Sequence, residues 1–220
     1  MTKPAPAAAR DLLHLVDHGA LGSNLAGEPG QPFVSAMPFA VDGNNAPILL
    51  VSRLAEHTRN LDCDARASLL LQADLPDEAG GVLAQTRMTL IGGARRFEPA
   101  AALVARFLRY QPDAERFLAL GDFGFFRFEI RRARLIGGFG SMGWLEAASL
   151  SAPCALSLER EAELLAAFAC HVPAHYTLLG VDSEGVDLRR DGRRERHRFN
   201  EVLDPRRVDE AMAGLLSAIG

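Results

Sequence analysis

Six histidines and three cysteines supply the side chains of this sequence best suited to ligation. His14 and His18 lie four residues apart, as do His171 and His175, an interval that puts two imidazoles on one helix face as metal or haem ligands. The first pair has no third ligand, and Asp17 does not share its face, so a solvated helix face is expected there. Pro173 falls between the second pair and ends the helix that would align them. Cys63, Cys154 and Cys170 are odd in number and far apart, without a C-x-x-C pair. Free thiols in a reducing compartment follow, rather than a disulfide framework or structural zinc. No G-x-S-x-G elbow, P-loop or H-E-x-x-H occurs, and Asp122 in GDFGFF lacks every other part of a kinase site.

The formal charge of -4 and pI near 5.9 favour small-molecule partners over nucleic acid. The basic run RRDGRRERHRF flanks an Asp191-Gly192 turn and alternates as a solvated strand would. Arg10, Asp11, His14 and Asp17 interrupt any signal-peptide core, and no later run reaches the ~18 apolar residues of a membrane span. Cytoplasmic residence without membrane association is therefore expected.

The elements that must position these groups read as follows. A helix is predicted from about Ala7 to Ala20, with Leu12, Leu13, Val16 and Ala20 on one face and Gly19 and Gly22 as its stop. PFVSAMPFAV and APILLVS read as strands joined at Asp42-Gly43. RLAEHTRNLDCDA, with Leu54 and Leu61 at helical spacing, leads into the buried strand ASLLLQA. TRMTLIGGARRFE reads as a strand bent at Gly92-Gly93, and such a bend favours barrel closure over a flat sheet. Two helical stretches fill Pro99 to Leu118, broken at Gln111-Pro112, with Leu103, Phe107 and Leu108 free to pack on the barrel. In FGFFRFEIRRARLIGGFG, Phe126, Phe128 and Ile130 alternate with Arg127, Glu129 and Arg131 before a Gly-rich bend. Met142 to Pro153 is small and loop-like, which puts a boundary near residue 152 between domains 1–152 and 153–220. The tail reads as a helix, three short strands and a closing helix with Val208, Met212, Leu215 and Leu216 on one face.

The string LLVSRLAEHTRNLDCDARASLLL, Leu49 to Leu71, resembles the strand, helix, strand core of the FMN-binding split barrels related to pyridoxamine 5'-phosphate oxidase. Its S-R-L-A-x-H-T-R-N wording is similar to the haem-utilisation, HugZ-like branch. PFVSAMPFA, RMTLIGGARR and GDFGFFRFEIRRARLIGGFG extend the likeness over most of residues 7–145. The resemblance implies an antiparallel split β-barrel, mainly β with α, plus a small C-terminal α+β domain, assembled as a homodimer.

In FMN-binding relatives the end of the LLVS strand and the helix start after it hold the flavin phosphate at the dimer cleft, as a helix N-terminus suits an anion. By this resemblance Ser52, Arg53, His57, Thr58 and Asn60 are candidate cofactor contacts, with Ser35, Met37 and Arg87 completing the pocket. The implied function is FMN binding with flavin-dependent oxidoreductase activity. Haem binding with oxygenase-type degradation is the alternative. A cofactor-free regulatory module, similar to the glutamyl-tRNA-reductase-binding relatives of plants, is the second. Flavin-binding members carry an Arg on the early strand and an Arg-Lys pair at the helix start, where this chain reads VSAMPF and LAEHTR. Relatives also carry an H-M-N-x-D-H-like segment in the C-terminal domain. It is absent here, leaving His171, His175 and His197 as possible ligands in that region.

Overall fold

The computed structural model describes residues 5–73, 85–137 and 141–219. Six strands close a barrel: β1 (His18–Asn24), β2 (Pro32–Val41), β3 (Pro47–Ser52), β4 (Arg66–Gln72), β5 (Arg87–Arg96) and β6 (Phe123–Ile136). They run in the order β3-β2-β1-β4-β5-β6, all antiparallel, and the first half of β6 returns to β3 through Ile48↔Arg127 to Ser52↔Phe123. The second half of β6 pairs with β7 (Met142–Glu146). One long strand thus closes the barrel with its first half and carries an extra strand with its second. The split-barrel fold expected from the sequence is what forms.

Closure rests on the predicted glycine bend. Between Ile91 and Gly92 the register with β6 slips by one residue, and a Cβ on Gly92 would lie 1.9 Å from the Glu129 carbonyl oxygen. Only glycine lets the strands approach so closely there. The period-two pattern of β6 also holds, with Phe126 and Phe128 buried against Leu49, Leu69 and Leu90 in the barrel core.

Four readings of local pattern are corrected. The first helix, α1 (Pro6–Leu15), stops before Val16, and His18 to Asn24 are strand. Gly19 and Gly22 mark close approach of β1 to β4, since a Cβ on Gly19 would meet the Leu70 carbonyl at 2.7 Å. His14 and His18 therefore share no helix face: His14 is buried on α1 and His18 exposed on β1. Leu54 lies in a turn, 85% exposed, because α2 begins only at Glu56 and runs to Cys63. Within the loop-like stretch after Met142, β7 and the short α5 (Ala147–Leu150) form, with Leu145 and Leu150 supplying the burial that small residues obscure in the sequence. Of the Gly-rich bend after β6, residues 138–140 lie outside the described residues.

α3 (Ala101–Tyr110) and α4 (Ala114–Leu118) break at Gln111-Pro112 as predicted. Leu103 and Phe107 pack on Ile48 and Phe125 of the barrel and on Leu179 of the C-terminal region. That region comprises α6 (Leu158–Phe168), β8 (Thr177–Val181), β9 (Gly185–Arg190), β10 (Arg193–Arg198) and α7 (Val208–Ile219), with its own sheet and apolar cluster. β10 is not the solvated strand its charge suggests: Arg194 and Arg196 turn inward onto the barrel. No helix among the described residues is long and apolar enough to cross a membrane.

Candidate functional site

The corner between β3 and α2 is built by hydrogen bonds between two turns far apart in sequence. Ser52 Oγ donates to Asp122 Oδ2 at 2.7 Å, the Arg53 amide donates to the Asp122 carbonyl at 2.8 Å, and the Arg53 guanidinium donates to the Gly121 carbonyl. Gly121 adopts φ +76°, which its lack of a Cβ permits. Thr58 Oγ1 donates to the Ser52 carbonyl at 2.6 Å and ties the helix back onto the strand end. Asn60, fully buried, accepts from the Ala26 amide at 2.8 Å and donates to Ser23 Oγ at 3.1 Å, which docks α2 on the β1–β2 turn.

His57 differs from these neighbours. It is half-buried on the first turn of α2, with no hydrogen bond, ion pair or ring contact among the described residues. Burial lowers its pKa, which favours the neutral ring with a free nitrogen lone pair. Glu56 precedes it, paired with Arg59 at 3.1 Å, and puts a carboxylate at the helix start.

The eight residues singled out by resemblance occupy three places. Ser52, Arg53, His57, Thr58 and Asn60 share the β3–α2 corner, with Thr58 and Asn60 turned inward as scaffold. Ser35 and Met37 lie on the inner face of β2; Met37 joins the barrel core, and Ser35 Oγ is buried without a partner. Arg87 sits on the outer face of β5, opposite Gln72 and Ile136 and near the Gln85 carbonyl. Asp122, which holds the corner together, escaped sequence reading because nothing local links it to Ser52.

A second polar constellation, also missed, joins the barrel to the C-terminal region. His14, Arg10, Arg106 and Tyr110 from α1 and α3 meet Asp187, Glu184, Glu161 and Arg196 from α6 and the small sheet. Burial alone would raise the Asp187 pKa, but His14 and Arg196 outweigh it and hold the carboxyl well below the usual range. The same burial pushes Tyr110 well up and pulls Arg194 down to about 10. His171 ends a short 3-10 turn and His175 lies beyond Pro173, so these two share no helix. No metal-holding group of three His, Cys, Asp or Glu occurs among the described residues. Cys63, Cys154 and Cys170 are free thiols.

Residues 2–151, the barrel and its first helix, match the family model described as CREG, beta-barrel. The chain belongs to the CREG β-barrel family. This CREG-type barrel is 36% identical over 111 residues to the non-canonical heme oxygenase HOZ of Arabidopsis thaliana, covering 50% of this chain and 33% of that protein. It is 28% identical over 116 residues to the heme oxygenase HutZ of Vibrio cholerae, covering 50% and 65%. The match thus spans less than two thirds of either curated relative. A solved heme binding protein from Mycobacterium smegmatis aligns with 99% of this chain and 98% of its own at TM-score 0.62 and 26% identity. The resemblance to the haem-utilisation branch of the split barrels holds in these matches.

Proposed function

We propose that this CREG-type barrel binds haem at the β3–α2 corner, with His57 as the ligand offered to the iron. The observation that carries the reading is His57 itself: half-buried and engaged by no other group of the described chain, with burial lowering its pKa and so favouring the neutral ring. A neutral imidazole is the form that ligates haem iron. Bound haem would supply the iron chemistry; the chain's part is to present His57 from a corner fixed by Ser52, Asp122 and Thr58. Relatives named as haem oxygenases and a haem-binding protein support the same class of ligand.

Flavin fits the corner less well. Glu56 puts a carboxylate where the FMN phosphate would meet the helix start, and the Arg53 guanidinium is already bonded to Gly121. We further propose a homodimer formed through the outer face of β2, β1 and β4. There Val34, at 64% exposure, lies with Ala36 and Leu70 on an apolar surface of the kind that marks protein contacts.

Absorbance titration of the purified protein with haem and with FMN tests the site. A saturable Soret shift with haem, weakened at least tenfold by His57→Ala and little changed by Thr58→Ser, is the expected outcome. An unchanged haem titration in folded His57→Ala removes the assignment, and saturable FMN binding without a haem response reverses the choice of cofactor.

A further inference from the structure

On the outer face of the barrel, far along β6 from the His57 corner, three arginines stand without a carboxylate partner among the described residues. Arg132 and Arg134 project outward on either side of the buried Ala133, and Arg131 is the extra residue of the β5–β6 bulge. Glu146 is directly opposite Arg132 in the β7 register, yet the Arg132 guanidinium lies over the Trp144 ring instead, 4.4 Å from its centroid. The Arg134 guanidinium lies 5.8 Å from the same centroid. Trp144 is 46% exposed, an unusual position for the largest apolar side chain unless something covers it. Ile91, Ile136 and Met142, all half-buried, share this face and give it an apolar floor.

These features select a ligand chemistry. Guanidinium groups on a protein of net charge -4 mark a local preference for anions. Residues two apart on a strand sit about 7 Å apart on one face, so Arg132 and Arg134 can each meet one of two carboxylates on a common edge. An aromatic ring and an apolar floor beside them suit a flat, apolar body. We propose that Arg132, Arg134 and Trp144 form a second binding site, for a planar tetrapyrrole dicarboxylate, separate from the His57 corner. The choice of a tetrapyrrole among planar dianions rests on the haem reading above.

Trp144 is the chain's only tryptophan, so its fluorescence reports this site directly. The probe is metal-free mesoporphyrin IX, which has both carboxylates and no iron for His57 to ligate, compared with its dimethyl ester. Saturable quenching of Trp144 by the diacid is expected, with affinity at least ~10-fold weaker for the ester and for Arg132→Gln/Arg134→Gln, as loss of two charge-assisted contacts implies. His57→Ala should leave this quenching unchanged. Haem is also a tetrapyrrole dicarboxylate, so the His57 site is read by Soret titration with haem in the Arg132→Gln/Arg134→Gln background, with and without His57→Ala, and failure of either assignment is seen separately.

Quenching that is absent, equal for diacid and ester, or unaffected by the double variant overturns the proposal. So does a Trp144 shielded from acrylamide that becomes accessible when the double variant shifts the protein from dimer to monomer, because the patch would then be a subunit interface. Both arginines are at the surface, and a far-UV spectrum matching the parent confirms that the variant is folded.

Discussion

The Nδ1 atom of His14 on the first helix lies 2.6 Å from Asp187 Oδ2 on the small C-terminal sheet, and both side chains are buried. The other ring nitrogen faces Asn45 Oδ1 at 3.0 Å, an orientation fixed because the Asn45 amide nitrogen donates to the Leu150 carbonyl. Asp187 also accepts from Arg196 at 2.7 Å and from the Tyr110 hydroxyl. One carboxylate on β9 thereby gathers α1, α3 and β10 and ties the barrel's helices to the C-terminal sheet.

Asp187→Asn should therefore be among the most damaging single substitutions. It keeps the shape but removes the buried carboxylate that Arg196, His14 and Tyr110 share; Arg196 retains Asp11 and Asp182, so the loss should approach, without exceeding, the roughly 3–5 kcal/mol of a fully broken buried pair. Urea unfolding measures this. A midpoint equal to the parent's would show that the cluster adds no net stability.

Acid sensitivity has a defined sign. Burial raises the pKa values of Asp187 and Glu184, but His14 and Arg196 for the first, and Arg10 and Arg198 for the second, bring both below their ordinary values of 3.8 and 4.5. The unfolded chain then binds more protons through the carboxylate range, so stability is complete above that range and is lost as pH falls through it toward the folded values. Urea midpoints should drop below about pH 4–5, and Asp187→Asn should drop less steeply. Parallel slopes for the two proteins would refute the attribution.

Gly92→Ala tests barrel closure. Its methyl group would enter the Glu129 carbonyl, and the strand must shift, at a cost of roughly 1–3 kcal/mol or more. Gly214→Ala on α7, where nothing lies within 4 Å, is the matched control and should stabilise by about 0.5–1 kcal/mol. Thermal unfolding of the two variants should move in opposite directions.

Asn60→Ala separates scaffold from ligand contact at the β3–α2 corner. It orphans the Ala26 amide and Ser23 and should cost about 1–3 kcal/mol, while haem titration of the folded protein changes little. His57→Ala should do the reverse, with unfolding near that of the parent and haem affinity reduced. A matching loss of affinity in both would make Asn60 a contact after all.

Strands with strong alternation, such as β6, and turns with defined chemistry, such as Asp42-Gly43, were legible because their determinants are local. The strand HGALGSN was not, since glycines admitted for close strand approach read like a helix stop. Arg194 and Arg196 read as solvated because charge alone predicts exposure, whereas their acceptors, such as the Val16 carbonyl and Asp11, lie more than 170 residues away. His57 was singled out by motif wording, while the neighbours that fix the β3–α2 corner, Gly121 and Asp122, belong to a distant turn. Pairwise chemistry across such separations leaves no periodic trace.

The 174-residue separation between Arg10 and Glu184, which meet at 2.6 Å, also orders events during synthesis. At 5–20 residues per second, the barrel's last strand leaves the ribosome roughly 3–12 s before β10 does. For that interval the nascent chain carries α1 with Arg10 and His14 lacking their carboxylates, so the helix can dock only provisionally. Final capture of the amino-terminal helix waits for the last sheet, and a chain stalled before residue 184 would present that helix to chaperones and proteases instead.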